Sequence, residues 1–177
     1  MGDQFDRISY RWKGWDYRQA AAYFVTICTH QKIRYFGEII FPGGGAQGGA
    51  QNFAPLRQPY LRSSLMGAIA YKYWRMIPQK YPFVRLGEFI IMPDHVHGIL
   101  NFERDDLSDW KPSQFGPQSQ NLGAVIRGYK AGVKSFATKH GIEFSWQRNY
   151  YDRIIRDERS YQMISQYIRD NPKNWRG

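Results

Sequence analysis

The 177-residue chain contains a single cysteine, Cys28, so it can form neither an intramolecular disulfide nor a Cys-x-x-Cys pair. Zinc-ribbon, ferredoxin-type and thioredoxin-type chemistry are thereby excluded. It also lacks any run near the ~18 consecutive apolar residues needed to cross a bilayer, so no membrane partner is expected. The opening MGDQFDRISYRWKGW has no apolar stretch and no small-residue cleavage site, which makes the cytoplasm the expected compartment. Acidic residues are scarce: 15 Asp and Glu stand against 25 Lys and Arg, a formal charge of +10. That excess points to a polyanionic partner. The 17% aromatic content would suit stacking on unpaired bases, although a basic protein with an aromatic core has the same composition. The length corresponds to one domain, able to bury about 70% of its unfolded surface.

YFVTICTH, from Tyr23 to His30, alternates and is rich in aromatic and β-branched residues, which predicts a strand. A second short strand is expected over Arg34–Ile40. The glycine- and glutamine-rich stretch 42–55 offers no apolar face and reads as a flexible insertion. No Gly-Lys-Ser/Thr follows it, so it is no phosphate-binding P-loop. Leu61, Leu65, Ile69, Tyr73 and Ile77 recur every four residues, predicting an amphipathic helix from Tyr60 to about Lys80. Two apolar runs, Phe83–Ile91 and His95–Phe102, flank Met92-Pro93-Asp94 and predict an antiparallel hairpin. Residues 103–120 are polar and read as a loop. A second helix is expected over Asn121–His140, with Leu122, Val125, Ile126, Tyr129, Val133 and Phe136 on one face and Arg127, Lys130 and Lys134 along another. Trp146–Ile155 reads as a strand, and Asp157 as the N-cap of a last helix that ends at Pro172. The order of strands, helix, hairpin, helix, strand and helix predicts an α+β fold, a central antiparallel sheet with helices mainly on one face.

The most informative local pattern is His95-Val96-His97. On a strand both imidazoles project to one face, where they could share a divalent metal ion or simply be satisfied histidines. A basic, aromatic chain with such a metal suits a phosphodiester substrate, the ion acting as a Lewis acid. No Gly-x-Ser-x-Gly elbow supplies a nucleophile. On the last helix, Tyr161, Ile164 and Ile168 define a buried face and place Tyr167 and Asn171 together on its flank, four residues apart. Tyr167 could attack a phosphate if a nearby cation or base assists it, since a free phenol ionises only near pH ~10. Tyr150 and Tyr151, just before the helix, compete for that role. The Arg127, Lys130, Lys134 stripe reads equally well as a phosphate-binding surface or a solvated helix face.

The hairpin MPDHVHGIL resembles the signature of the HUH single-strand endonucleases, two histidines around a hydrophobic residue. WQRNYYDRIIRDERSYQMISQYIRDNPKNW resembles the C-terminal part of the single-tyrosine transposases, and its Tyr-Ile-x-x-Asn-Pro element that of the REP-associated tyrosine transposase branch. DYRQAAAYFVTICTHQKIRYFGEI and NLGAVIRGYKAGVKSFA are similar to that branch as well, so the resemblance runs from residue 17 to 175. It implies an HUH-type, ferredoxin-like domain over 1–177, in which His95 and His97 bind the metal, Asn171 adds an amide oxygen and Tyr167 is the nucleophile. Many relatives outside the branch carry Gln where Asn171 stands.

The implied activity is Mg²⁺- or Mn²⁺-dependent cleavage and joining of single-stranded DNA at hairpin-forming repeats through a 5′-phosphotyrosine. Phosphate contacts would come from Arg127, Lys130 and Lys134. The competing readings are a domesticated, non-catalytic regulator that binds nucleic-acid hairpins, and a metal phosphoesterase that uses water. A self-contained monomer is favoured over a homodimer, because little chain follows Trp175 to form an exchanged arm.

Overall fold

Two stretches of alternating apolar residues form the centre of the molecule. In a computed structural model, residues 20–42, 58–103 and 121–176 are described. Strand β1 (Ala21–Cys28) lies between β5 (His95–Phe102) and β6 (Tyr151–Ile155), and β4 (Val84–Met92) completes a four-stranded antiparallel sheet in the order β4-β5-β1-β6. The predicted hairpin is present: Met92 pairs with His95 across Pro93 and Asp94. A separate two-stranded sheet joins β2 (Gly37–Ile40) to β3 (Tyr60–Ser63). The 42–55 insertion and the 103–120 loop lie, apart from Pro42 and Glu103, outside the described residues.

Helix α1 (Leu65–Arg75) and the short α2 (Ile77–Lys80) connect β1 to β4 by way of β2 and β3, and α3 (Leu122–Lys139) connects β5 to β6. The main sheet thus follows the β-α-β-β-α-β ferredoxin-like pattern. Both crossover helices pack on one face, where Tyr23, Val25, Ile27, Val96 and Leu100 meet Ala70, Trp74, Val125, Tyr129 and Val133 in the main core. Gly98 keeps β5 low beneath Trp74, because a Cβ there would come within 2.3 Å of the indole. Helix α4 (Glu158–Asp170) is the exception to one-sided packing. It lies on the opposite face, where Ile168 meets Phe24, Ile99 and Ile155 in a smaller cluster.

Several boundaries differ from the sequence expectation, and the strand expected over Arg34–Ile40 is regular only from Gly37. Tyr60–Ser63 is strand β3, not the first turn of a helix: it pairs with Gly37–Ile40, and α1 begins only after Ser64, whose hydroxyl accepts from the Gly67 amide. The buried face of α1 and α2 is accordingly Met66, Ala70, Trp74 and Ile77, and Leu65 is 59% exposed. The four-residue recurrence of Leu61 and Leu65 spans two different elements. The predicted strand Trp146–Ile155 is regular only from Tyr151, Trp146 making a single bridge to Thr29. No helix among the described residues is long and apolar enough to cross a membrane.

Candidate active site

With α1 and α3 both on one face, the other face of the two central strands is left for α4 and whatever lies beside it. Val96 enters the main core, so strand alternation turns His95 and His97 to the α4 face. Their rings lie 4.4 Å apart, centroid to centroid, and the residues are only 8% and 6% exposed. On β1, Cys28 stands opposite His95 and Thr26 opposite His97.

Each imidazole has one nitrogen engaged. His95 Nδ1 lies 2.5 Å from Asp94 Oδ1, and His97 Nδ1 lies 2.8 Å from Thr26 Oγ1. The remaining nitrogens are the two Nε2 atoms. Among the described residues His95 Nε2 is buried without a hydrogen-bond partner, and His97 Nε2 is 3.5 Å from the Tyr167 hydroxyl. Burial holds the pKa of His97 down at about 3, repulsion from His95 and Lys32 adding to it against the opposing Asp94 charge. His97 is therefore a neutral imidazole near pH 7. Burial alone would raise the pKa of Asp94, but its hydrogen bond to His95 and the His95 and Lys32 charges prevail, and it is lowered. Asp94 stays a carboxylate beside His95.

An orphaned buried Nε2 costs free energy unless something occupies it. Two imidazoles oriented through Nδ1 by a carboxylate and a hydroxyl match the outer-shell support usual for metal-binding histidines. The donor set therefore fits a divalent ion held by His95 and His97. Among the described residues no group of three or more His, Cys, Asp and Glu side chains is arranged to hold a metal, so further positions fall to amide, phosphate or water oxygens.

Asp157 starts α4 by accepting from the Ser160 amide, and Arg169 ties the helix to Glu88 of β4 at 3.1 Å. With Ile168 buried, Tyr167 sits on the flank as expected, 50% exposed, its ring 5.4 Å from His97. Asn171 is buried at the helix end, four residues past Tyr167 and four before Trp175, whose ring is 6.0 Å from that of His95. Residues 167 and 175 thus each reach one histidine, with Asn171 midway along the chain between them. Tyr151 lies on β6 opposite Thr26, and Tyr150 packs toward the main core on the other face.

The basic stripe is not brought to the histidines. It lies on α3, across the sheet, where Lys130 Nζ donates to the carbonyls of Gln147 (2.6 Å) and Arg148 (3.0 Å) and Lys134 Nζ to that of Phe144 (2.6 Å). Arg127 is exposed. Sequence reasoning missed Asp94 as the partner of His95, taking it only as a turn residue, and missed Thr26, Phe24 and Trp175. Asp94 was findable, since it directly precedes the histidine pair; Thr26 depends on the β1–β5 register.

The sheet order, with α1 and α3 on one face and α4 on the other, defines a ferredoxin-like sheet that carries a histidine pair beside a helix-borne tyrosine. The chain aligns at 93% of its length with a solved structure of a REP-associated tyrosine transposase bound to a REP hairpin, covering 73% of that chain with a TM-score of 0.55 and 16% identity. It shares that protein's fold. No family model matches the chain. An uncharacterised protein of Haemophilus influenzae is 37% identical over 96% of this chain and 89% of its own length, and the chain belongs to one family with it.

Proposed function

We propose that the protein is a transposase-like enzyme that cleaves and rejoins single-stranded DNA at hairpin-associated sites through a 5′-phosphotyrosine on Tyr167. The observation that carries this is the placement of the half-exposed Tyr167 hydroxyl 3.5 Å from Nε2 of His97, whose ring neighbours that of His95, an imidazole with an Nε2 unpartnered among the described residues. The sequence resemblance and the shared fold support it. His95, His97 and the Asn171 amide oxygen would hold Mg²⁺ or Mn²⁺, which when bound supplies Lewis-acid polarisation of a phosphate oxygen and a positive field beside the phenol.

The chain's own residues do the remainder. Asp94 and Thr26 hold the two imidazoles so that both Nε2 lone pairs face the site. Phe24 stacks on His97 at 5.4 Å and meets the Tyr167 ring edge-on at 6.1 Å, limiting the angles the phenol can take. The Tyr167 oxygen attacks the phosphorus, a Tyr–O–P bond forms, the bond to the 3′ oxygen breaks, and the phenolic proton ends on the departing 3′-hydroxyl. The linkage energy is retained, so a 3′-hydroxyl can later reverse the step and join strands without ATP.

The test is incubation with a pool of labelled single-stranded hairpin oligonucleotides and Mn²⁺, followed by a denaturing gel. A protein-linked DNA band is expected, abolished by EDTA and by Tyr167→Phe while hairpin binding persists. An undiminished adduct in Tyr167→Phe would move the nucleophile to Tyr151 or Tyr150. Cleavage without any adduct would instead indicate water as the nucleophile, and binding without cleavage a regulator.

A further inference from the structure

Beside the histidine pair, on the Pro93 side of the hairpin, lies a cavity of about 320 Å³ that the proposed chemistry does not use. It is lined by Arg34, Glu38, Phe41, Pro93, Trp175 and Arg176. Its volume is at the lower end of the range for small-ligand sites, about 300–1,000 Å³. Three features narrow the ligand. Trp175 offers an aromatic face that is only half-buried, with the Arg34 guanidinium 5.8 Å from its centroid, near the ~6 Å limit of a cation–π contact. Phe41 adds a second exposed ring. Glu38 is already ion-paired with Arg62, so the charge the cavity presents comes mainly from Arg34 and Arg176.

We infer that this cavity is a subsite for one unpaired nucleotide adjoining the cleavage site, its base stacked on Trp175 and its phosphate met by Arg34 and Arg176. Exposed rings combined with guanidinium groups are what an unpaired base and its phosphate recognise. The Trp175 ring also lies 6.0 Å from that of His95, centroid to centroid, so a base held beside it registers the next phosphate toward the histidines. The inference rests on the nuclease reading for its substrate and extends it to a residue that selects which phosphate is presented.

The experiment uses the full chain in EDTA, where no cleavage occurs, with a short oligothymidylate carrying one central 2-aminopurine. Fluorescence quenching reports stacking, and anisotropy of the same strand reports binding. Wild-type protein should quench the probe. Trp175→Ala should abolish quenching and weaken binding about five- to hundredfold, the range for losing one base–aromatic stack. Trp175→Phe should restore most of both, and Tyr167→Phe should change neither. Binding without quenching, or quenching that survives Trp175→Ala, overturns the subsite and leaves the nuclease reading intact. No binding of the single strand by wild type also overturns the subsite, and the nuclease reading then stands or falls on the hairpin adduct alone.

Discussion

Tyr167 and His97 show how far one residue's surroundings redefine it. Thirteen tyrosines and four histidines are present, and nothing in their chemistry separates them until burial and neighbours are known. The low pKa of His97 has a measurable consequence. In an unfolded chain it titrates near ~6.5, and in the folded protein near 3. Above about pH 6.5 both states hold it neutral and pH does not act through it. Between those values the unfolded state binds a proton that the native state refuses. Stability therefore falls as pH falls, by at most ~1.4 kcal/mol per pH unit from this group. Urea unfolding of the EDTA-treated protein at pH 7 and pH 5 should show a smaller loss in His97→Gln than in wild type. Equal losses would mean that His97 is protonated in the native state.

Elements explain why the basic stripe does not behave as its helical spacing implies. Lys130 and Lys134 extend from α3 to carbonyls of residues 144–148, the segment leading into β6, and so brace a stretch that among the described residues makes a single strand-type bridge, from Trp146 to Thr29 just past β1. Burial lowers the pKa of Lys130, Cys28 partly opposing it, yet two carbonyl acceptors still hold its ammonium. Lys130→Met keeps the aliphatic stem but leaves those carbonyls unmatched. A loss of about 1–3 kcal/mol is expected from a urea titration, the usual cost of leaving a buried hydrogen-bonding group unsatisfied. Stability within error of wild type would show the brace to be dispensable.

The whole molecule separates two surfaces by the thickness of its sheet. The histidines and Tyr167 occupy one face and α3 the other, so DNA touching both must pass around an edge or an end of the sheet. If Arg127, Lys130 and Lys134 each neutralise a phosphate, replacing all three should flatten the slope of log affinity against log salt by about 2, from ~0.7 per contact on single strands. Because the lysines also brace the fold, Arg127→Ala alone should be measured beside the triple variant, with a change of ~0.7 expected. An unchanged slope in both would leave the stripe to structure and solubility.

Much of this architecture was legible in the chain. Alternation marked β1 and the β4–β5 hairpin, three-and-four spacing marked α3 and the flank position of Tyr167, and His-Val-His on a strand necessarily turned both imidazoles to one side. Those features are local, set by the periods of strand and helix. What only the tertiary structure decided depends on contacts distant in sequence. Strand β3 exists because Gly37–Ile40 pairs with it, so a four-residue recurrence that looked helical was broken at Ser64. The β1–β5 register puts Thr26 on His97, and the return of α4 over the free face brings Tyr167 to the same imidazole across seventy residues. Burial, which makes His97 neutral and leaves His95 Nε2 without a partner among the described residues, is a property of the assembled faces and has no local sequence signature.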